Sequence, residues 1–386
     1  MSTSFLSPAR LLAFDTLRKV GRGGYASDLL ATGPPDLDPR DAALASEIVF
    51  GVLRYQAHLD FLIGHYSGRP LRTLDFEVVL ALRLGIYQLR YLDRVPPHAA
   101  VGESVELVKT SGFRSAAGFA NAVLRKVGRE RVTWPDRAVE LSHPEWLLER
   151  WDREFGAEIA AGIARANLQA PETYIRVPAG REPAGVTAAP TEVAGCYRLI
   201  AGDAGEFRIQ DIGSQSVVPL LELAAGQTFL DLCAAPGNKT AQALESGVRA
   251  VACDLHAKRV EMLRSLGVDV VHLDGTRPLP FGRRFDRVLL DAPCSGTGTL
   301  SRNPEIKWRL EPADLEDLHK RQVVLLANAL ELVAPEGRLV YSTCSLEREE
   351  NDGVLEELGL QATRILRRIP GLTAGDGFFA AVLRSG

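Results

Sequence analysis

Two cysteines occupy loops in which a thiol could take part in chemistry. Cys294 lies in the stretch DAPCSGTGTL, residues 291–300, and Cys344 lies in YSTCS, residues 341–345. Each thiol directly follows an apolar run and is surrounded by small and polar residues. A thiolate is a strong nucleophile that can bond covalently to a substrate, whereas a buried cysteine more often serves as a small apolar residue. Two interpretations of this pair are therefore open: the thiols take part in covalent catalysis, or they fill space in the protein interior.

The number and spacing of the cysteines bear on whether the chain has disulfides or a metal site. The chain has five, the remaining three being Cys196, Cys233 and Cys253, and no pair has CxxC spacing. An odd number without that spacing argues against a disulfide framework and against a zinc site, so we expect no metal. A reducing cytoplasm is the simplest setting. We expect Cys196 and Cys253 to fill cores, and the backbone of Cys233 to matter more than its sulfur.

The bulk composition is that of a globular protein with more than one domain. The chain has 386 residues, 46% of them hydrophobic, which predicts two or three domains with cores of their own. No apolar run is long enough to predict a membrane span, and the first 20 residues resemble an amphipathic helix more than a signal peptide. The net charge of −4 means that any nucleic acid must bind through local basic patches.

The first third of the chain has a helical pattern. Apolar residues recur at three- and four-residue spacing in ALASEIVFGVLRYQAHLDFLIGHY and in TLDFEVVLALRLGIYQLRYL. This region ends in a basic cluster that includes Arg125, Lys126 and Arg129. Such a cluster is usually a solvated helix face, and a phosphate-binding face is the alternative. Residues 136–211 are mixed: HPEWLLERWDREFGAEIAAGIARANL predicts helix, TYIRVP predicts a short strand, and AGREPAGVTAAPTEVAG permits no assignment.

From Gln227 onward, short strands alternate with helices. The strands TFLDLC, VRAVACD, VDVVHLD, FDRVLLD and GRLVYST are separated by helical stretches such as HAKRVEMLRSLG. This alternation predicts a mostly parallel, doubly wound sheet, which binds ligands at the carboxyl ends of its strands. Four strands end in acidic residues, namely Asp231, Asp254, Asp274 and Asp291. Helix capping explains some acidic strand ends, but four in one sheet favour a site.

The first of these strands runs into the turn DLCAAPGNKT, which is suited to a nucleoside cofactor. The turn matches neither the GxGxxG dinucleotide motif nor a P-loop, so a nucleoside without a pyrophosphate fits better. Asp254 is placed to accept from ribose hydroxyls and Asp274 from an adenine amine. We therefore expect S-adenosylmethionine, held by the residues of the turn and the strand ends: Cys233, Ala234, Ala235, Pro236, Gly237, Asn238, Lys239, Asp254, Asp274 and Asp291.

Taken together, these motifs resemble those of RNA 5-methylcytosine methyltransferases of the RsmB/Sun type. The catalytic likeness lies in DLCAAPGNKT, DAPCSGTGTLSRNPEIKW and GRLVYSTCSLEREEN. The stretches AALASEIVFGVLRY, LALRLGIYQLRYL, VPPHAAVGESVELVK and GFANAVLR resemble a NusB-like RNA-binding domain, while IQDIGSQS and DGFFAAVLR resemble the start and last strand of the catalytic domain. Two residues depart from the family pattern: Asn238 stands where the family usually has Gly, and Ser301 stands where Arg is common. The segment after TYIRVP is also shorter than the resemblance leads us to expect.

The resemblance implies a multidomain chain. An all-α NusB-like domain over residues 1–135 would be followed by a small α/β connecting subdomain over 136–211. An α/β Rossmann-like methyltransferase domain over 212–386 would complete it. The implied substrate is 16S ribosomal RNA, free or in early subunit assembly, and the implied enzyme is a cytoplasmic monomer. The same chemistry on transfer RNA, and a non-catalytic RNA-binding or antitermination-like module, are the alternatives.

The resemblance also assigns roles to the two thiols. Carried over by motif, Cys344 attacks carbon 6 of cytosine and Cys294 assists release of the methylated base. Asp291 would contact the base edge or the cofactor. Arg302 and Lys307, beside Cys294 in the chain, would join Arg125, Lys126 and Arg129 in contacting RNA, whereas Trp308 is more often structural in such a context.

Overall fold

The computed structural model describes residues 6–384, and the chain folds into two compact units. The first comprises Met1–Gln169 together with Leu300–Arg309, and the second comprises Ala170–Thr299 together with Leu310–Gly386. Residues 1–5, where the predicted first helix would begin, lie outside the described part. This division assigns the segment Leu300–Arg309, which is close to Cys294 in sequence, to the first unit, while the domain boundaries at 135 and 211 stay a prediction.

The first unit is helical, as the three- and four-residue apolar spacing predicts. Proline at the start of several helices fits their first turn, where its missing N–H leaves no bond unmade. Asp38 caps one of them, since its side chain accepts a hydrogen bond from the backbone N–H of Arg40. The helices over residues 6–169 are α1 Pro8–Val20, α2 Ala26–Ala31, α3 Pro39–Arg54, α4 Gln56–Ser67, α5 Phe76–Tyr91, α6 Pro97–Thr110, α7 Ala117–Lys126, α8 Arg137–Leu141, α9 Glu145–Phe155 and α10 Ala157–Asn167.

A continuous apolar core joins α1 to α7 of this unit. It includes Phe14, Ile48, Leu62 and Leu82, all fully or almost fully buried. Close helix packing depends on Gly51, because a Cβ there would lie 1.9 Å from the Cζ atom of Tyr87. Any larger residue at this position must push α3 and α5 apart.

The second unit opens with a small antiparallel sheet. Its strands are β1 Tyr174–Arg176, β2 Thr187–Pro190, β3 Cys196–Ala201 and β4 Arg208–Ile209, in the order β2-β3-β1-β4. The stretch that permitted no assignment from sequence therefore contains β2. Cys196 is 1% exposed in the core of this sheet, as expected of a filler residue.

A larger sheet forms the rest of the second unit. Its strands are β5 Thr228–Asp231, β6 Arg249–Asp254, β7 Asp269–His272, β8 Phe285–Asp291, β9 Val333–Thr343, β10 Arg364–Arg368 and β11 Phe378–Arg384, in the order β10-β11-β9-β8-β5-β6-β7. Strands β5 to β9 pair in parallel, and β11 and β10 add antiparallel strands at one edge. The helices of the unit are α11 Ile212–Val217, α12 Asn238–Leu244, α13 Ala257–Leu263, α14 Pro312–Glu331 and α15 Asp352–Glu357.

This architecture confirms the predicted fold class of a helical domain joined to a mostly parallel α/β sheet. The parallel strands β5, β8 and β9 are neighbours, so their carboxyl ends, which carry Asp231, Asp291 and Thr343, meet at one edge. Among residues 6–384, no helix combines the length and the apolarity needed to cross a membrane.

Candidate active site

The two thiols of interest lie together at the carboxyl edge of the sheet. Cys294 follows β8 and Cys344 follows β9, and their Sγ atoms are 3.3 Å apart although the residues are 50 positions apart in sequence. Both side chains are half-buried, so a substrate can reach them. The backbone N–H of Gly298 donates to the carbonyl of Cys344 at 2.9 Å and ties the two loops together.

Cys294 keeps its proton in the free enzyme. Its hydrogen bond with Cys344 raises the pKa of the Cys294 thiol well above the usual value, and burial adds to the rise. Either sulfur can be the donor in the hydrogen bond that joins the two thiols. The geometry therefore holds a protonated Cys294 thiol against the sulfur of Cys344.

Asp291 joins the cofactor turn to the strand that leads to Cys344. Its Oδ2 accepts from Lys239 Nζ at 2.6 Å, and its Oδ1 accepts from Ser342 Oγ at 2.8 Å. Asp291 pairs directly with Ser342 across β8 and β9, which explains the second bond. Burial is the largest single influence and lowers the pKa of the Lys239 ammonium, but the charge and hydrogen bond of Asp291, together with smaller contributions from Cys344 and Asp231, outweigh it, and the net shift is upward. Lys239 therefore stays charged beside the thiols.

The turn from Cys233 to Lys239 has the close backbone approach that a nucleoside cofactor needs. Gly237 has φ +103°, and a Cβ there would lie 2.9 Å from Leu266 Cδ1, so a side chain would be strained on both counts. Asn238 is the first residue of α12 and adopts helical backbone, so it needs no left-handed conformation. Cys233 keeps its proton, because burial raises the pKa of this thiol well above the usual value.

The acidic strand ends line this turn. Asp254, 7% exposed, accepts from the backbone N–H groups of Ala235 and His256 at 3.2 and 2.9 Å. Asp231 accepts from Thr240 Oγ1 at 2.7 Å through one oxygen, whereas its buried Oδ1 has no hydrogen-bond partner among residues 6–384. Burial raises the pKa of Asp231 to about 7. An orphaned carboxyl oxygen beside a glycine turn fits a polar ligand that completes the site.

Asp274 lies beyond the strand that the sequence predicts to end in it. Strand β7 ends at His272, so Asp274 lies in the turn that follows. Its Oδ1 accepts from both the N–H and the hydroxyl of Thr276, at 2.9 and 2.6 Å. These bonds lower the pKa of the Asp274 carboxyl, so it is a charged hydrogen-bond acceptor in this turn.

A buried carboxylate that the sequence reasoning missed lies behind both cysteines. Glu350 is 0% exposed and accepts from the backbone N–H of Ser295 at 2.8 Å and from Gln322 Nε2 at 3.0 Å. The hydroxyls of Ser295 and Ser345 also donate to it. The run EREEN gives no signal for this role, because its acidic residues fit the first turn of a helix.

That helix does not begin where the sequence suggests. A short 3₁₀ turn, Arg348–Glu350, follows the cysteine loop, and α15 begins only at Asp352. Cys344 therefore does not lie at the N-terminus of α15. Because the chain turns at Arg348–Glu350, the Glu350 side chain lies beneath the loops of Cys294 and Cys344.

The predicted RNA contact at Lys307 is contradicted by its burial. Lys307 is 0% exposed, its Nζ donates to the carbonyl of Arg54 at 3.0 Å, and burial lowers its pKa well below the usual value. Trp308 is structural, since its Nε1 donates to the carbonyl of Leu53 at 2.7 Å. The segment 300–309 packs within the helical unit, and Arg302 lies half-buried on it.

The basic end of α7 remains available to a ligand. Arg125 and Lys126 are exposed, with single long hydrogen bonds to Asn121 Oδ1 and the Tyr66 carbonyl at 3.2 and 3.3 Å. Arg129 is exposed too, but its guanidinium is engaged by Asp93 at 2.6 Å and by backbone carbonyls. Arg125 and Lys126 are therefore the freer cations of the predicted cluster.

Comparison with known proteins identifies the family of each part of the chain. The family model described as 16S rRNA methyltransferase RsmB/F matches residues 218–364, and the NusB family model matches residues 7–129. The probable ribosomal RNA small subunit methyltransferase B of Bacillus subtilis is 32% identical over 90% of this chain and 87% of its own length. Ribosomal RNA small subunit methyltransferase B of Cronobacter sakazakii is 33% identical over 97% of this chain and 98% of its own.

Solved structures of other proteins share the fold of this chain. The crystal structure of PH0851 has a TM-score of 0.79 at 22% identity and covers 98% of this chain and 99% of that one. A methyltransferase homolog protein from Pyrococcus horikoshii has a TM-score of 0.56 at 24% identity and covers 64% of this chain and 97% of its own.

The fold and the site define a methyltransferase domain with a cofactor turn, joined to a NusB domain. The chain belongs to the ribosomal RNA small subunit methyltransferase B family, so the resemblance found in its sequence is confirmed. It is accordingly an S-adenosylmethionine-dependent rRNA methyltransferase. The glycine turn, the buried Asp254 and the orphaned Asp231 oxygen are the features that fit this cofactor.

Proposed function

We propose that the protein methylates carbon 5 of a cytosine in 16S ribosomal RNA through a covalent bond between Cys344 and the base. The observation that carries the proposal is the 3.3 Å separation of the Cys294 and Cys344 sulfurs beside Asp291. Two thiols are more than a single nucleophilic attack requires. A reaction with separate attack and release steps uses both.

The difficulty of the reaction lies in the weak nucleophilicity of carbon 5. Attack by a thiolate on carbon 6 turns carbon 5 into an enamine-like centre that can take a methyl group. Bound S-adenosylmethionine supplies that methyl group. The residues that we expect to hold this cofactor are the turn 233–239, with Asp254 for the ribose and Asp274 for the adenine.

Cys344 makes the attack in this scheme, as the family motif implies. Cys294 stays protonated in the free enzyme, because its pKa is raised, and its sulfur lies 3.3 Å from that of Cys344, where it can serve the later release step. Asp291 accepts a hydrogen bond from the amino group at the edge of the cytosine and so orients the ring for attack. Lys239 and Ser342 hold that carboxylate in place.

Release requires the proton on carbon 5 to leave and the sulfur to be eliminated. Before it can act as the base, Cys294 must give its own S–H proton to water; loss of its hydrogen bond to Cys344 favours this step, whereas burial of the thiol opposes it. The Cys294 thiolate then takes the proton from carbon 5. The electron pair of that C–H bond forms the carbon 5–carbon 6 double bond, and the carbon 6–sulfur pair returns to Cys344.

RNA must present its target cytosine outside the base stack to reach both thiols. We assign RNA affinity to the exposed Arg125 and Lys126 at the end of α7, with Arg129 and Arg302 as further candidates. These side chains would contact phosphates, so they would contribute affinity and not base selection.

Bisulfite mapping of 16S ribosomal RNA tests the proposal directly. RNA from a deletion strain should lose one 5-methylcytosine signal, and the wild-type gene should restore it. The Cys344→Ala gene should fail to restore it. An unchanged bisulfite pattern in the deletion strain would refute the assigned substrate, and loss of a signal from transfer RNA instead would favour the alternative substrate.

A further inference from the structure

The buried carboxylate of Glu350 connects the two cysteine loops. Burying an ionised carboxylate is costly unless hydrogen bonds compensate it. At 0% exposure, Glu350 receives such bonds from Ser295, Ser345 and Gln322. These donors come from the loop of Cys294, the loop of Cys344 and helix α14. The Glu350 side chain therefore holds both loops and α14 to one pair of acceptor oxygens.

The bonds fix the Cys294 loop on both sides of the cysteine. Immediately after it, Ser295 donates to Glu350 from its backbone N–H at 2.8 Å and from its hydroxyl. Immediately before it, the carbonyl of Pro293 accepts from Gln322 Nε2 at 2.9 Å, and the same amide nitrogen donates to Glu350 at 3.0 Å. The position of the Cys294 sulfur therefore depends on this carboxylate.

The Cys344 loop has a second set of supports. Thr343 Oγ1 donates to Asn351 Oδ1 at 2.6 Å, and Asn351 Nδ2 donates to the carbonyl of Ser345 at 3.0 Å. These bonds do not pass through the Glu350 carboxylate. Loss of Glu350 would thus disturb Cys294 more than Cys344.

We propose that Glu350 is a positioning residue for the release step, one that holds Cys294 in place beside Cys344. The assignment rests on the proposed covalent reaction, in which Cys294 serves release and not attack. Glu350 touches neither substrate nor cofactor in this scheme and acts through the backbone and hydroxyl of Ser295 and through Gln322. A displacement of about 1 Å in a reacting group can lower a rate by about a hundredfold.

The test measures adduct and turnover in parallel. Glu350→Ala should still attack and methylate, so a denaturation-resistant RNA–protein complex should accumulate in the presence of S-adenosylmethionine. Its kcat should fall by about tenfold or more, while the KM for RNA stays within about twofold. Glu350→Gln keeps the side-chain length and an acceptor oxygen and should recover most of the turnover. Glu356→Ala is the matched control, because Glu356 is exposed on α15 and pairs there with Arg348 at 2.6 Å.

The outcomes separate this inference from the reaction on which it rests. If Cys294→Ala accumulates the adduct but Glu350→Ala turns over normally without it, the positioning role is wrong and the covalent reaction stands. If Glu350→Gln is as impaired as Glu350→Ala, positioning by hydrogen bonds is likewise wrong. If Cys294→Ala forms no adduct and stays active, the covalent reaction and this inference fail together.

A second variant covers the case in which Glu350→Ala loses cofactor binding through misfolding. Gln322→Ala removes the bond to the Pro293 carbonyl and leaves the carboxylate with its serine donors. We expect it to accumulate the same adduct, to a lesser extent. If Glu350→Ala is misfolded, and Gln322→Ala turns over at the wild-type rate and accumulates no adduct, the proposal is wrong.

Discussion

Lys239 Nζ lies 2.6 Å from Asp291 Oδ2, so the cofactor turn and the end of β8 share an ion pair. The lysine is 10% and the aspartate 29% exposed at the side chain, which limits screening by solvent. Through Ser342, the same carboxylate also contacts the strand that ends before Cys344. The elements predicted separately to bind cofactor and to perform catalysis are thus one hydrogen-bonded assembly.

Cofactor affinity should depend on Asp254. In Asp254→Ala, the N–H groups of Ala235 and His256 lose their acceptor, and the ribose hydroxyls lose theirs. The dissociation constant for S-adenosylmethionine should rise by about 5- to 150-fold, or about 1–3 kcal/mol, as measured by titration calorimetry. Asp269→Ala is the matched control, since Asp269 is exposed at the opposite end of a neighbouring strand. Equal affinity of wild type and Asp254→Ala, both folded, would remove Asp254 from the site.

The sequence predicts the sheet better than it predicts the small subdomain. Strands β5, β6 and β8 are evident together with their terminal aspartates, because β-branched and leucine-rich runs bounded by polar turns are a local signal. Strand β2 escapes sequence-based prediction because Thr187–Pro190 consists of small residues and proline, which carry no strand pattern. Its existence depends on pairing with β3.

The site is predictable in part for the same physical reason. Asp231, Asp254 and Asp291 are the last residues of their strands, and Cys294 and Cys344 follow shortly after theirs, so local sequence locates them. Glu350 carries no such signal, because its role arises when a 3₁₀ turn brings it back beneath loops that are distant in sequence. The prediction for Lys307 is wrong because a charged residue close to Cys294 in the chain suggests exposure, whereas its segment packs in the helical unit.

RNA affinity should follow the exposed cations of α7. Reversal of Arg125 and Lys126 to glutamate removes at least two phosphate contacts, so binding should weaken. The slope of log K against log salt should become shallower by at least about 1.4–1.8. Filter binding at several salt concentrations measures this slope, and calorimetry should show unchanged cofactor affinity.

Lys307→Met provides the comparison within the same unit. Because Lys307 is buried and donates to a backbone carbonyl, its replacement by an apolar residue of similar length should leave the salt slope unchanged. A slope unaffected by reversal of Arg125 and Lys126 would mean that this face of α7 is merely solvated.

Stability should fall with rising pH through Asp231. Burial raises the pKa of this carboxyl to about 7, whereas in the unfolded chain it titrates near about 4. The folded state therefore binds the extra proton between these values, and its advantage is lost as the pH rises from about 4 to about 7. Relative to Asp231→Asn, the wild type should lose up to roughly 4 kcal/mol over this window.

Urea titrations of cofactor-free protein at a series of pH values measure this difference. The gap between the two unfolding midpoints should widen steadily toward neutral pH, with the asparagine variant gaining. If the unfolding midpoints of the two proteins changed with pH in parallel, the Asp231 carboxyl would titrate normally, and its environment would be more polar than the structure indicates.

The most direct test of the covalent account compares the two cysteine variants on a denaturing gel after incubation with RNA and S-adenosylmethionine. Cys294→Ala should accumulate a cofactor-dependent complex with methylated RNA, because attack proceeds and elimination is slow. Cys344→Ala should be inactive and form no complex. A complex with Cys344→Ala and none with Cys294→Ala would reverse the two roles, and full activity of both variants would contradict covalent catalysis by these thiols.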